Sequence, residues 1–326
     1  MSKLVTVFGG SGFVGRYVAR RMAKAGWRVR VAVRRPNEAL FVRTYGTVGQ
    51  VEPVFCNIRD DASVRAVLAG ADAVVNCVGT FDKGGRNNFK AVQVDGAGRI
   101  ARLAAAGGIT SLVHISAIGA DAESESVYCR TKAGGEAAVL AAYPAALILR
   151  PSVIFGPEDQ FFNRFAGYSR FGPILPLVGA DTRFQPVYVD DVAQAAVLGV
   201  MGKATGIYEL GGPDVDTFRG LMHSMLAVIN RRRLIVNMPF WKAGILAWIC
   251  DTGQVMSGGL VHNSLLTRDQ VKTLRHDNVV AASAKGLPDL GIVPTPVEAV
   301  LPDYLWRFRP SGQYDAIKAS ARNLPG

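Results

Sequence analysis

Cysteine is scarce in this chain: Cys56, Cys77, Cys129 and Cys250 are four in 326 residues, far apart, with no CxxC pair. That spacing supports neither a disulfide framework nor a zinc ribbon, and a reducing compartment is expected. His114, His223, His262 and His276 are equally scattered, so no metal site is expected. Long apolar runs are missing as well. The stretch from Pro239 to Cys250 falls short of the roughly 20 residues that span a bilayer and carries Lys242, which excludes it as a transmembrane helix. Met1 leads almost directly into an apolar strand, without the charged, apolar and small-residue zones of a signal peptide, so export is not expected. There is no internal repeat and no low-complexity tract. Signatures of RNA recognition motifs, helix-turn-helix units and zinc fingers are absent, so no nucleic-acid partner is expected despite a net charge of +11.

Hydrophobic residues make up 49% of the chain. Combined with the positive charge, this fits either a large core with ordinary solvating charge or an apolar docking surface beside a basic one. Leu4 to Phe8 is an apolar, β-branched run that ends in Gly9-Gly10-Ser11-Gly12-Phe13-Val14-Gly15, and an amphipathic stretch follows to about Ala25. The order is strand, turn, helix. Arg28 to Val33 reads as a second strand, closed by Arg34-Arg35-Pro36. Further strands are expected at Val51 to Phe55, Ala73 to Val78, Ser111 to Ile115 and Ala145 to Leu149, with helices at Asp60 to Leu68, Asn88 to Ala106 and Tyr128 to Ala142. This alternation predicts an α/β fold, a Rossmann-type doubly wound parallel sheet over residues 1–150. Beyond Arg150-Pro151 the alternation loosens, and residues 151–326 read as a smaller C-terminal α/β lobe with a helix from Asp190 to Met201 and an extended tail after about Pro302.

Glycines at 9, 12 and 15, between a strand and a helix, let the backbone approach a pyrophosphate and aim helix N-terminal N–H groups at it. Gly9, Ser11, Gly12, Phe13, Val14 and Gly15 are therefore dinucleotide-binding candidates. The GxxGxxG spacing resembles the extended branch of the short-chain dehydrogenase/reductase superfamily, over most of the chain. In that superfamily an acidic residue after the second strand binds the ribose 2′-hydroxyl of NAD. Arg34 and Arg35 stand there instead, which implies pairing with a 2′-phosphate and a preference for NADPH. The other reading is a solvated basic strand end. The resemblance places Asn57 and Ile58 at the adenine, and Cys77, Val78 and Gly79 beside the cofactor ribose.

Tyr128-Cys129-Arg130-Thr131-Lys132 matches the superfamily's YxxxK, whose i and i+4 side chains share one helix face. The resemblance makes Tyr128 the acid/base and Lys132 the residue that tunes it and binds the nicotinamide ribose. The hydroxyl residue that usually completes the triad falls at Ile118, which cannot hydrogen-bond a carbonyl. Ser116 and Ser124 are the nearest hydroxyls, at other spacings.

The stretches Leu149 to Asp159, Phe161 to Phe165, Gln185 to Val192 and Tyr128 to Glu136 resemble a narrower group, the alpha-subcomplex subunit nine family of respiratory complex I. That resemblance adds Ser116, Pro151 and Ile154 to the cofactor contacts. It implies a structural accessory subunit of NADH:ubiquinone oxidoreductase that holds NADPH, at the junction of the peripheral and membrane arms. Anionic lipid headgroups are expected partners, with Arg231-Arg232-Arg233 as a basic cluster and Trp241 and Trp248 as anchors seven residues apart; alternatively the tryptophans are core and the arginines a solvated turn. A position on the cytoplasmic face of a bacterial inner membrane, or the matrix face of a mitochondrial one, follows. The competing reading is an active NADP-dependent short-chain reductase or epimerase acting on an apolar or nucleotide-sugar substrate; an enzyme needs convergent polar groups around Tyr128, whereas Ile118, Phe155, Phe161 and Phe162 imply an apolar, poorly furnished pocket that only an apolar substrate would tolerate.

Overall fold

The computed structural model describes residues 2–80, 84–256 and 267–310, together with 312 and 314. Two compact units divide the chain: residues 1–152, 189–211 and 280–294 form one, and residues 153–188, 212–279 and 295–326 the other.

The first unit is built on a seven-stranded sheet in the order β3(Val51–Phe55), β2(Arg28–Val33), β1(Leu4–Phe8), β4(Ala73–Asn76), β5(Ser111–Ile115), β6(Leu147–Pro151), β11(Gly206–Leu210). Every pairing is parallel. Strand β1 is buried along its whole length, as a central strand covered on both faces must be. Helices α1(Phe13–Lys24), α2(Asp61–Leu68), α3(Ala97–Ala106), α4(Val127–Ala142) and α6(Val189–Val200) belong to the same unit. Because β1 pairs with β2 on one side and β4 on the other, the strand order reverses there, and the carboxyl ends of these strands form the crevice where such sheets bind ligands.

Three expectations change. The sequence reading cuts the chain once, near Arg150-Pro151, but residues 189–211 and 280–294 return to the first unit. The cause is long-range pairing: β11 completes the otherwise open edge of β6, and α6 packs closely enough that a Cβ on Gly199 would collide with Leu147 and Val113. The expected single helix from Asn88 to Ala106 begins instead as a π-helical turn, Lys90–Gly96, before α3. There the Gln93 carbonyl presses against Gly135, where any side chain would collide. The expected extended tail after Pro302 is a helix as far as Leu305, α10(Val297–Leu305), followed by a 3₁₀ turn, Trp306–Phe308. Its buried residues Val297, Val300, Leu301, Tyr304 and Leu305 carry the helical period, and their burial outweighs the break at Pro302. Most of the tail beyond residue 310 lies outside the described residues.

Among the described residues the second unit carries three small strand pairs: β7(Ile154–Phe155) with β10(Val187–Tyr188), β8(Ile174–Val178) with β13(Leu234–Met238), and β9(Arg183–Phe184) with β12(Asp216–Thr217). Its helices are α5(Phe162–Tyr168), α7(Phe218–Val228), α8(Phe240–Met256), α9(Arg268–Thr273) and α10. Its core combines aliphatic side chains with a cluster of aromatic rings. Phe155 and Phe162 are fully buried and meet edge to face, and Phe161 stacks on Phe218 at 5.5 Å between centroids. Phe155 and Phe162 belong to this core, and Phe161 packs against it.

Candidate dinucleotide site

The turn after β1 is shaped by two glycines with different duties. Gly9 has φ +71°, a conformation that favours glycine, and it lies against the Cys77 carbonyl and Val78. Gly15 is buried in α1 so close to the Gly9 carbonyl that no side chain fits. Gly12 differs from both. It is exposed, with φ −71°, and a Cβ there would meet only the Gly9 carbonyl oxygen, at 3.1 Å. A side chain at position 12 would thus require only that the Gly9 carbonyl give by a few tenths of an ångström. Gly12 also caps α1 without any side-chain hydrogen bond, which leaves the N-terminal N–H groups of Phe13 and Val14 to an outside acceptor.

At the carboxyl end of β2 a cavity of about 560 Å³ is lined by Ser11, Arg16, Val33, Arg34, Arg35, Glu38 and Phe41. Arg34 and Arg35 are exposed there, and Arg35 donates to Glu38 at 3.0 Å. Arg16, which the sequence reading overlooked, brings a third guanidinium. Its Nη2 donates to the Ser11 carbonyl at 3.1 Å, and its Cζ stands 5.0 Å from the centre of the Phe41 ring. The signal was present in Gly15-Arg16: a residue directly after the glycine turn sits in the first turn of the helix and faces back over it. Glu38 and Phe41 were missed because they ride on a 3₁₀ stretch, Pro36–Tyr45, with no strong periodic signature.

Asn57 and Ile58 follow β3 at the same edge of the sheet. The Asn57 side-chain oxygen accepts from the Arg59 backbone at 3.2 Å, while Ile58 rests where Gly96 leaves room. Asn76 fixes the next segment: its Oδ1 accepts from Val78 N at 3.0 Å, and its Nδ2 lies 3.1 Å from His114 Nδ1. Desolvation pushes His114 down to about 3, so it stays neutral, and the same effect raises Cys77 to about 12.

Lys132 is buried on α4, with Nζ donating to the Ile115 carbonyl at 3.3 Å and lying 5.9 Å from the centre of the Tyr128 ring. A Cβ on Gly79 would stand 4.0 Å from the same Nζ, so the β4 segment and the YxxxK helix do converge. Burial lowers Lys132 to about 8, against partial support from Glu136 and Cys77, and raises the Tyr128 phenol above its ordinary value. The folded value of Lys132 lies below the unfolded one, so its charging penalty is fully present below pH 8 and fades as pH rises to about 10.5. Lys132→Met should therefore unfold at higher urea than wild type at pH 7 without cofactor. The difference should shrink towards pH 10.5, and an unchanged difference across that range would refute the assignment.

The hydroxyl inventory is poor for catalysis. Ser116 is buried and gives its proton to Glu136, which Arg150 also holds, at 2.6 Å. Ser124 accepts from Ser126 N at 3.2 Å. At the triad's third position, Ile118 is buried with its N–H on the Pro151 carbonyl at 3.0 Å. Ile154 belongs to β7 of the second unit.

The NAD dependent epimerase/dehydratase family matches residues 5–211. The NADH dehydrogenase (ubiquinone) 1 alpha subcomplex subunit 9 of Arabidopsis thaliana, a mitochondrial protein, is 34% identical, covering 95% of this chain and 79% of that protein. A ceramide reductase of Caulobacter vibrioides is 29% identical over 79% of this chain and 77% of its own length. The structure of dTDP-glucose 4,6-dehydratase from Bacillus anthracis in complex with NAD superposes with a TM-score of 0.71 and 15% identity, over 98% of each chain.

Proposed function

Because this chain belongs to the NAD dependent epimerase/dehydratase family and, within it, to the family of alpha subcomplex subunit 9, we propose that it is an accessory subunit of NADH:ubiquinone oxidoreductase that holds NADPH without turning it over. One combination carries this reading: a complete phosphate turn beside a catalytic position filled by buried Ile118. An enzyme of this fold needs a hydroxyl there to polarise a carbonyl; Ser116 gives its proton to Glu136 instead, and Ser124 stands at another spacing. NADPH, when bound, brings a hydride-donating nicotinamide. This chain's residues bind and orient it: first-turn N–H groups of α1 on the pyrophosphate, Asn57 and Ile58 at the adenine, and Lys132 at the nicotinamide ribose.

The preference for NADPH is supported by three guanidiniums around the cavity after β2. A 2′-phosphate adds a counter-charge to this cluster, which a 2′-hydroxyl does not. A peripheral position on the membrane, at the junction of the two arms, is supported by α8. Ala243 and Ala247 are buried, while Trp241, Ile245, Trp248 and Ile249 are all exposed, so the large apolar residues face outward. No described helix is long and apolar enough to cross a membrane. The face is the cytoplasmic one in a bacterium or the matrix one in a mitochondrion.

The test is purification from detergent-solubilised native membranes. Comigration with NADH:ubiquinone oxidoreductase activity is expected, with about one NADPH per chain released on denaturation and identified by mass. Migration as a free species that reduces ketones with NADPH would instead establish the reductase reading.

A further inference from the structure

The second unit carries an arginine cluster that the dinucleotide reading does not use. Arg231 and Arg233 are half-buried, and Arg170 is exposed beside them. Two of them are tethered by backbone oxygens: Arg231 Nε donates to the Phe308 carbonyl at 2.9 Å, and Arg233 Nε to the Ser169 carbonyl at 2.7 Å. None of Arg170, Arg231, Arg232 and Arg233 pairs with a carboxylate among the described residues. Desolvation, with Arg233 and Arg170 close by, lowers Arg231 from its ordinary value. Like charges held together this way cost stability unless an anion joins them.

The neighbouring strands supply a second, independent feature. In the β8–β13 pair, Ile174 lies opposite Leu234 and Pro176 opposite Val236, and all four are exposed, while Leu175, Leu177 and Ile235 are buried behind them. Strands that cover a core on one face ordinarily turn polar residues to water on the other. Here the outer face is apolar, and Phe171, next to Arg170 in the chain, is 87% exposed.

We propose that Arg170, Arg231 and Arg233 bind the phosphate of an anionic phospholipid, with the apolar outer face of β8 and β13 set against the acyl boundary beside it. The assignment rests on the peripheral membrane position proposed above and names a surface for it apart from α8. Charge complementarity selects the occupant: a cationic cluster without internal counter-ions, adjoining an exposed apolar sheet face, matches an acidic headgroup above hydrocarbon. A neutral bilayer offers nothing to the arginines, and a free phosphate nothing to the strands.

The experiment uses the full chain with NADPH bound. Its sedimentation is measured with vesicles of phosphatidylcholine alone and of phosphatidylcholine with 30% phosphatidylglycerol, the latter with and without 20 mM inorganic phosphate. Wild type should bind the anionic vesicles alone. Replacing all three arginines with glutamine should weaken that binding about a hundredfold, at about fivefold per arginine. The corresponding lysine variant should retain most of it, because charge is kept while the carbonyl tethers are lost. Ile174→Ser with Leu234→Ser, both at exposed positions, should weaken it without altering NADPH affinity. Equal binding of wild type and the glutamine variant, or equal binding to neutral vesicles, would overturn the proposal. So would release by inorganic phosphate at constant ionic strength, which would mark a small-anion site. Absence of vesicle binding in a protein that still comigrates with the oxidoreductase would sink the lipid site and leave the accessory-subunit reading standing. Vesicle binding without comigration would do the reverse.

Discussion

Gly12→Val should abolish NADPH binding while the chain still folds. A Cβ at position 12 meets one carbonyl oxygen at 3.1 Å, an approach that a shift of a few tenths of an ångström relieves, and its φ of −71° suits any residue. The branched side chain would stand where the pyrophosphate must approach the first turn of α1. Loss of two charge-assisted hydrogen bonds, each about 1.5–3 kcal/mol, weakens NADPH by roughly a hundred- to ten-thousandfold. The stabilisation that ligand brings, about 2.7 kcal/mol at a hundred times Kd, disappears with it. Tyr128→Phe is the matched control, since it removes one hydroxyl and keeps the ring, whose centroid lies 6.0 Å from that of Phe89. If the dinucleotide is structural, only the glycine variant should lower the thermal midpoint measured with NADPH and detach the protein from the oxidoreductase. The tyrosine variant should then support NADH oxidation at the wild-type rate. A tyrosine variant that loses a discrete NADPH-dependent turnover, with assembly unaffected in both, would promote the reductase. Gly15→Ala is a poor substitute for Gly12→Val, because its Cβ would collide with the turn itself and the effect would be unfolding.

Arg34→Glu should lower the preference for NADPH over NADH by about ten- to a hundredfold, the worth of one charge-assisted contact to a phosphate. Arg34 is the cleanest site for this test. Among the described residues it has no ion pair, whereas Arg35 is already engaged by Glu38. Arg16→Gln should lower the ratio as well, but it also breaks the contact with the Ser11 carbonyl, so some NADH affinity should go with it. Fluorescence titration of both cofactors gives the ratio directly. Equal losses for NADPH and NADH in Arg34→Glu would show that the guanidinium lies near the site without reading the 2′-position.

Local chemistry made the first half of the fold legible before any coordinates. Strands β1, β2, β3 and β5 are short, mostly apolar runs rich in β-branched residues, and they fall at their expected limits. The glycine turn and the Tyr128–Lys132 pair were legible for the same reason: each depends on residues within one or two turns of chain. The absence of a hydroxyl at Ile118 was equally plain. What the sequence left open is whatever depends on partners far along the chain. Nothing in Gly206–Leu210 announces that Gly206 will pair with Leu147 of β6, far back along the chain, because any short β-prone segment satisfies the same pattern. The fate of Ser116 was decided by Glu136 and Arg150, on a helix and a strand that only the folded sheet brings to it. Exposure was beyond reach too. Phe155 and Phe162 read as pocket residues and are core, whereas Trp241 and Trp248 admitted both readings and are exposed, because periodicity identifies an apolar face but not which surface it meets. The sequence by itself determined the dinucleotide fold and its motif positions, since these rest on local backbone geometry. Tertiary structure alone decided which hydroxyls are spent, which guanidiniums gather and which apolar faces remain open, since each is a competition between groups brought together only by folding.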